Sequence, residues 1–471
     1  MAPTNRLQVA LDSLAVLSCG MIIAFPAVAL PNIEASRLAP TPTQVSLVGC
    51  LFYSSILVSS VAIESALEKW GRRKSFLASI ASSIVGWLLV WAFNGTVHAL
   101  IGGFLFLGIG LGSMNPCISV HLAECVNRRW QGSINVMRSA LYFTGATLMY
   151  AMGSIFQQGD LGKMCIMSST LPLVVFLLGL FYLRETKAWL QTPPLVDRHA
   201  TLFGPYAQLW TALKARDDVQ GPFYVLNIIA ILRQLSGTAV LITYAIHFAR
   251  KMVPNTNPYA VASVMGVSSV AGCLLVPLLS NHYGRRQTLI SSGVAACWTL
   301  LVIARLPTLS GFLVVEISSV VLLTLLTLFI VASNIFLFVS QSLVELYPAD
   351  VRNACSTVSN FNSWVASGFT VVTFPVLLKC LGFQYLLRFY ASASVFCVIM
   401  TIIGVPHKEP NKLPVESETS GRVSAEGAHQ LEMLVPQNRS LAGCSEECAG
   451  DTSKPQTLTE ANEDSSPFNA Q

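Results

Sequence analysis

Apolar stretches of about twenty residues recur along the first 406 positions, each long enough to cross the ~30 Å hydrocarbon core of a bilayer as a helix. They predict twelve spans, at about 9–30, 45–66, 76–94, 98–121, 132–156, 164–183, 222–247, 259–280, 288–305, 312–340, 355–378 and 386–405. Polar residues gather in the connections. Pro26, Pro172, Pro277 and Pro375 fall inside the runs, which spanning helices tolerate when neighbours satisfy the freed carbonyls. The longest internal break, from Arg184 to Gly221, divides the runs six and six. The predicted organisation is all-α and membrane-embedded: a six-helix N-terminal half over 1–183, a cytoplasmic central loop over 184–221, a six-helix C-terminal half over 222–406, and a tail over 407–471.

Composition removes the soluble alternatives. Of 471 residues, 53% are hydrophobic and only 11% charged, where a soluble domain carries about 25% charged residues. A soluble enzyme of this size would lack the charge to cover its surface. The net charge of +5 hides two unlike parts. Residues 407–471 hold 5 Lys/Arg and 11 Asp/Glu, so 24 of the 29 basic groups and 13 of the 24 acidic ones lie in 1–406. The acidic tail is too poor in apolar residues to offset its ordering entropy and is expected to be disordered. With the N-terminus placed in the cytoplasm, cytoplasmic connections collect fifteen Lys/Arg against six on the opposite side. That bias predicts that both termini are cytoplasmic. Seven of the twelve cysteines lie in apolar runs, where Cys acts as a small hydrophobe. Cys444 and Cys448 have no His or second Cys pair beside them, so no metal and no cofactor is expected. No nucleotide-binding loop is present either, which excludes an ATP-driven pump.

The charges repeat. Gly71-Arg72-Arg73 follows span two and Gly284-Arg285-Arg286 follows span eight; Glu124 ends span four and Glu345 ends span ten. The offsets are 213 and 221 residues. Two six-span repeats around a central loop are the plan of carriers that rock about a site near the midplane. In such a plan the glycine lets two helices meet at a tight loop. The arginines reach C-terminal carbonyls or the downstream carboxylates, holding one side of the bundle shut in one state.

With Glu345-Leu346-Tyr347-Pro348-x-x-Val351-Arg352, Arg233-Gln234-Leu235-Ser236-Gly237 and Arg184-Glu185-Thr186-Lys187-Ala188-Trp189-Leu190, these loops resemble the sugar porters of the major facilitator superfamily, within it the animal facilitative hexose and trehalose carriers. The resemblance covers nearly all of 7–406 and implies a major-facilitator-type bundle of twelve transmembrane helices. It implies a gating charge network of Gly71, Arg72, Arg73, Glu124, Arg128, Arg129, Glu185, Gly284, Arg285, Arg286, Glu345 and Arg352. It also implies a substrate site including Arg233, Gln234, Tyr244 and Trp364; Asn334 and Asn362 add amides able to donate to and accept from sugar hydroxyls. Several family positions are altered. Arg233 replaces a Gln, Ala239 an Asn, Thr243 one of the two residues that follow, and Ser340 falls where the family has Trp.

Arg138 and Arg233 are intramembrane cations, which are costly unless compensated. Arg233 either favours an anionic substrate, snorkels, or pairs with a carboxylate such as Asp12 or Glu64. Proton-driven relatives resemble one another in an Asp midway along span one, where this chain has Ala24-Phe25-Pro26. The expectation is a monomeric, plasma-membrane uniporter of a sugar such as trehalose or a hexose, working by alternating access, with the lipid bilayer and a small-molecule substrate as its partners and no nucleic acid. A carrier of a polyol or organic anion, and a non-transporting sugar sensor, remain the alternatives.

Overall fold

The computed structural model describes residues 3–34, 42–92, 97–126, 128–156, 161–186, 189–190, 210, 213–214, 216–253, 256–313, 319–348 and 351–405. The central loop between 191 and 209 and the tail after 405 lie outside them, as do the side chains of Arg128, Arg129 and Glu345.

The first six spans are α1 (Pro3–Glu34), α2 (Pro42–Trp70), α3 (Arg72–Ala92), α4 (Val97–Cys125), α5 (Arg128–Ile155) and α6 (Leu161–Tyr182). The seventh is in three pieces, α7 (Asp217–Leu235), α8 (Thr238–Thr243) and α9 (Ala245–Met252). Then follow α10 (Pro258–Tyr283), α11 (Arg285–Leu313), α12 (Ser319–Ser342), α13 (Arg352–Leu381) and α14 (Phe383–Gly404), with a 3-10 turn over Leu343–Leu346. Among the described residues, eleven helices are long and apolar enough to cross a bilayer. α5 is the twelfth span. Its 28 residues suffice in length, but Arg138 and a series of hydroxyls lower its hydropathy. It packs between α1 and α10 rather than standing alone against lipid.

The sequence predicts one continuous seventh helix over 222–247, and the structure breaks it twice. Gly237 has φ 87°, a left-handed conformation that a side-chain-bearing residue adopts at a cost. A Cβ there would also come within 2.7 Å of the Tyr390 ring. The second break is at Tyr244, φ −117° and ψ 28°, between α8 and α9. The apolar run conceals both breaks because hydropathy is blind to backbone conformation.

The helix packing repeats along the chain. α2 and α3 lie on α4, α3 on α6, and α1 on α5 and α6; in the same order α10 and α11 lie on α12, α11 on α14, and α7 on α13 and α14. The two sets meet through α5 on α10, α2 on α13, and α1 on α8 and α9. The first two contacts exchange under the repeat, as a pseudo-two-fold relation between two halves of like orientation requires. Close approach is built into the sequence. A Cβ on Gly20 of α1 would overlap the carbonyl of Tyr142 on α5, and one on Gly145 of α5 the carbonyl of Leu17.

Candidate functional site

At the α2–α3 corner the chain reverses through Gly71, whose φ is 87°. This turn presents the first amides of α3 to Glu185, which follows α6. Glu185 Oε2 accepts from the Arg72 amide at 2.9 Å and Oε1 from the Arg73 amide at 3.2 Å. A carboxylate on two free N-terminal amides satisfies orphan donors and meets the positive end of the helix dipole. The Arg72 side chain turns to Glu124 at the end of α4. Nη2 lies 2.7 Å from Oε1, and Nε 3.0 Å from the same oxygen, while Nη1 donates to Leu67 O at 2.9 Å. Thr186 donates its hydroxyl to the second Glu124 oxygen. Arg73 Nη2 caps the end of α6 by donating to Leu180 O at 2.6 Å. One cage thus ties α2, α3, α4 and α6 together through two arginines and two carboxylates.

Gly71 is indispensable to that cage. A Cβ on Gly71 would fall 2.6 Å from Glu185 Oε1, in a backbone conformation that costs L-residues about 1–2 kcal/mol. Gly71→Ala is therefore expected to lower the thermal midpoint of the purified protein; an unchanged midpoint would show that Glu185 can leave α3 without cost.

The second repeat keeps part of this arrangement. Gly284 has φ 81°, and Arg286 Nη2 donates to Ile402 O near the end of α14 at 3.0 Å, the counterpart of Arg73 on Leu180. Arg285 lies partly buried at the start of α11. Arg352 donates through Nε and Nη2 to Tyr347 O at 3.2 and 3.1 Å. The Tyr347 phenol is 3.0 Å from Ser359 Oγ, and burial pushes it up to about 12, so it stays protonated. Leu180 and Ile402 are 222 positions apart; the same offset carries Glu185 to His407, outside the described residues.

A second polar region lies inside the bundle. Tyr53 Oη on α2 is 2.7 Å from Thr243 Oγ1 at the end of α8, and Tyr150 Oη on α5 donates to Ile242 O at 3.0 Å. These two bonds fasten the broken seventh span to the first six. Glu64 Oε1 on α2 accepts from Thr357 on α13 at 2.9 Å. Of the six proposed substrate positions, Gln234 accepts from Thr238 Oγ1 at 3.1 Å, and Asn362 donates to Asn227 Oδ1 on α7 at 2.8 Å. Asn334 donates to Ile330 O of its own helix at 2.9 Å. Tyr244 packs on Phe374, ring centres 4.6 Å apart, and Trp364 is partly buried against the main core. Arg233 is 8% exposed and lines a cavity bounded by α7, α11, α12 and α14. It does not meet the expected carboxylates: Glu64 is held by Thr357, and Asp12 lies 2.7 Å from His121 Nδ1 on α4.

That last pair escapes a reading of single residues. Asp12 and His121 are 109 positions apart, and only the packing of α1 on α4 brings them together. The available signal was an acid within the first apolar run and a His within the fourth, two ionisable groups where each is expensive alone.

A helical bundle that repeats its packing and carries matched Gly-Arg-Arg corners has the plan of a membrane carrier. The profile described as Major Facilitator Superfamily matches residues 13–371, and the chain belongs to that family. The facilitated trehalose transporter Tret1 of Culex quinquefasciatus is 23% identical over 413 residues, 80% of this chain and 78% of that protein. The sugar transporter ERD6-like 18 of Arabidopsis thaliana is 24% identical over 338 residues, 66% of this chain and 69% of that protein. A crystal structure of a D-xylose–proton symporter superposes with a TM-score of 0.71 over 84% of this chain and 97% of that chain, at 15% identity. An inward-open xylose transporter XylE from E. coli gives 0.70 over 86% and 98%, also at 15% identity. At such identity the superpositions establish the fold.

Proposed function

We propose that this chain is a facilitative carrier of a sugar such as trehalose or a hexose. It would reside in the plasma membrane with both termini in the cytoplasm, as the fifteen-to-six bias of Lys/Arg supports. The moving bodies are the six-helix halves 1–183 and 222–406, joined by the cytoplasmic segment 184–221 and followed by the tail 407–471. Substrate binds between the halves and biases an existing equilibrium between inward- and outward-open states.

The observation that carries this reading is the cage at the α2–α3 corner. It binds four helices of the first half at one end, so that this half can move as one body against the second, which it meets through α5 on α10, α2 on α13 and α1 on α8 and α9. The relatives named for sugar transport supply the substrate class. Alternating access also requires the Tyr53–Thr243 and Tyr150–Ile242 bonds to break when the opposite face opens.

Uptake of labelled trehalose and hexoses by a transport-null cell tests the proposal. Gln234→Ala, which removes an amide beside the helix break, is expected to lower uptake about tenfold, mostly through apparent affinity. Uptake by the wild type with no change in Gln234→Ala would remove Gln234 from the site. Sugar-dependent thermal stabilisation without uptake would establish a sensor instead, and the absence of both would end the sugar reading.

A further inference from the structure

Arg233 is a guanidinium inside a membrane bundle, with no counter-charge among the described residues. Among the described residues its side chain makes no hydrogen bond or ion pair, although it is 8% exposed. The carboxylates expected to pair with it are committed elsewhere, Asp12 to His121 and Glu64 to Thr357. Asp218, on the same helix, is fifteen residues away, about 22 Å along the axis. A buried cation in low dielectric demands a compensating negative charge or dense hydrogen bonding. Arg138 on α5 has one hydrogen-bond partner of this kind, the Ser119 hydroxyl, whereas Arg233 has none among the described residues.

The space into which Arg233 opens is small and mixed, with Phe336 and Val398 beside its polar residues. Its walls include Ser236, Thr238, Ser333, Ser394 and Cys397, around a cavity of about 20 Å³. Most of these donors are already spent. Ser236 donates to Arg233 O at 2.5 Å, Thr238 to Gln234 Oε1 at 3.1 Å, Ser394 to Tyr390 O at 3.1 Å and the Cys397 thiol to Ile229 O at 3.7 Å. Ser333 alone of the five makes no hydrogen bond among the described residues. The unspent donors facing the cavity are therefore the guanidinium N–H groups and one hydroxyl, and no carboxylate opposes them.

We propose that this cavity is a binding site for a monovalent anion of halide size, held by the Arg233 guanidinium and the Ser333 hydroxyl. The space beside the guanidinium, about 20 Å³, holds a small ion. Charge sets the sign, because a water would satisfy hydrogen bonds but leave the cation uncompensated. Two of its walls, α11 and α14, pack within the second set of six spans, while Thr238 joins it to Gln234 by a hydrogen bond.

The test is thermal unfolding of the full-length purified protein in detergent at constant ionic strength, with gluconate replaced by chloride, bromide or nitrate. The midpoint is expected to rise by about 2 °C once the small anion exceeds its dissociation constant tenfold, and not to respond in Arg233→Gln. A bromide soak of crystals of the wild type is expected to give anomalous density in the cavity, which decides the matter should the variant fail to fold. Equal midpoints in chloride and gluconate, the same rise in Arg233→Gln, or bromide density only outside the cavity would each overturn the proposal. Sugar uptake is read by neither measurement, so this proposal and the sugar assignment fail independently.

Discussion

Glu124→Gln lowers sugar uptake about tenfold or more while the protein still folds. The carboxylate receives Arg72 through Nε and Nη2 and the hydroxyl of Thr186, so it closes the cage from the α4 side. A neutral amide keeps the shape but turns charge-assisted bonds into ordinary ones and presents an N–H to one of the donors. Bonds to charged groups contribute about 1.5–3 kcal/mol, and each 1.4 kcal/mol is a factor of ten in an equilibrium. Arg72 and Glu124 are 17% and 16% exposed, so solvent screening places the loss toward the lower end of that range. The helices of the cage all belong to the first half, so the loss loosens the body that moves and reaches transport through its rigidity. The companion measurement is the double variant Arg72→Gln/Glu124→Gln. Because it leaves no unpaired charge, it should be less impaired than the sum of the single variants. Wild-type rates in Glu124→Gln would show that the cage holds helices together without taking part in transport.

Much of this cage is visible before any coordinates, and the reasons are physical. Twelve apolar runs are legible because a bilayer sets a minimum length for a span, and the Gly-Arg-Arg corners because they recur at nearly one offset. Glu185 is legible only as part of a family-like motif. Its placement on the first amides of α3 depends on α6 returning beside α3, a contact between residues 113 positions apart. The interior was harder to read. Gly237 looks like an ordinary glycine in an apolar helix, which membranes tolerate, yet it breaks the span. Arg233 is recognisable as an unusual cation, but its surroundings come from four helices whose facing residues no periodicity identifies. The expected partners Asp12 and Glu64 lie in the first two spans, whereas the Arg233 cavity is lined by helices of the last six.

His121→Ala is expected to destabilise the folded protein by about 3–5 kcal/mol, the range for removing one member of a buried ion pair. Asp12 is fully buried, Oδ2 lies 2.7 Å from His121 Nδ1, and Oδ1 has no hydrogen-bond partner among the described residues. The His ring is therefore the side chain that satisfies this carboxyl group, and without it the aspartate must either take up a proton or admit water between α1 and α4. Around the pair, Cys125 Sγ lies 3.7 Å from His121 Nε2 and 3.8 Å from Gln8 Oε1, while Gln8 itself donates to Arg184 O. The cluster consequently links α1 and α4 to the segment that carries Glu185, beside the cage. Asp12→Asn/His121→Ala should recover a large part of the loss, since it removes the unpaired acid along with its partner. The measurement is a double-mutant cycle on thermal midpoints in detergent, with uptake followed in parallel. A double variant as unstable as His121→Ala would mean that the imidazole matters for the volume it fills, and that its contact with Asp12 contributes nothing.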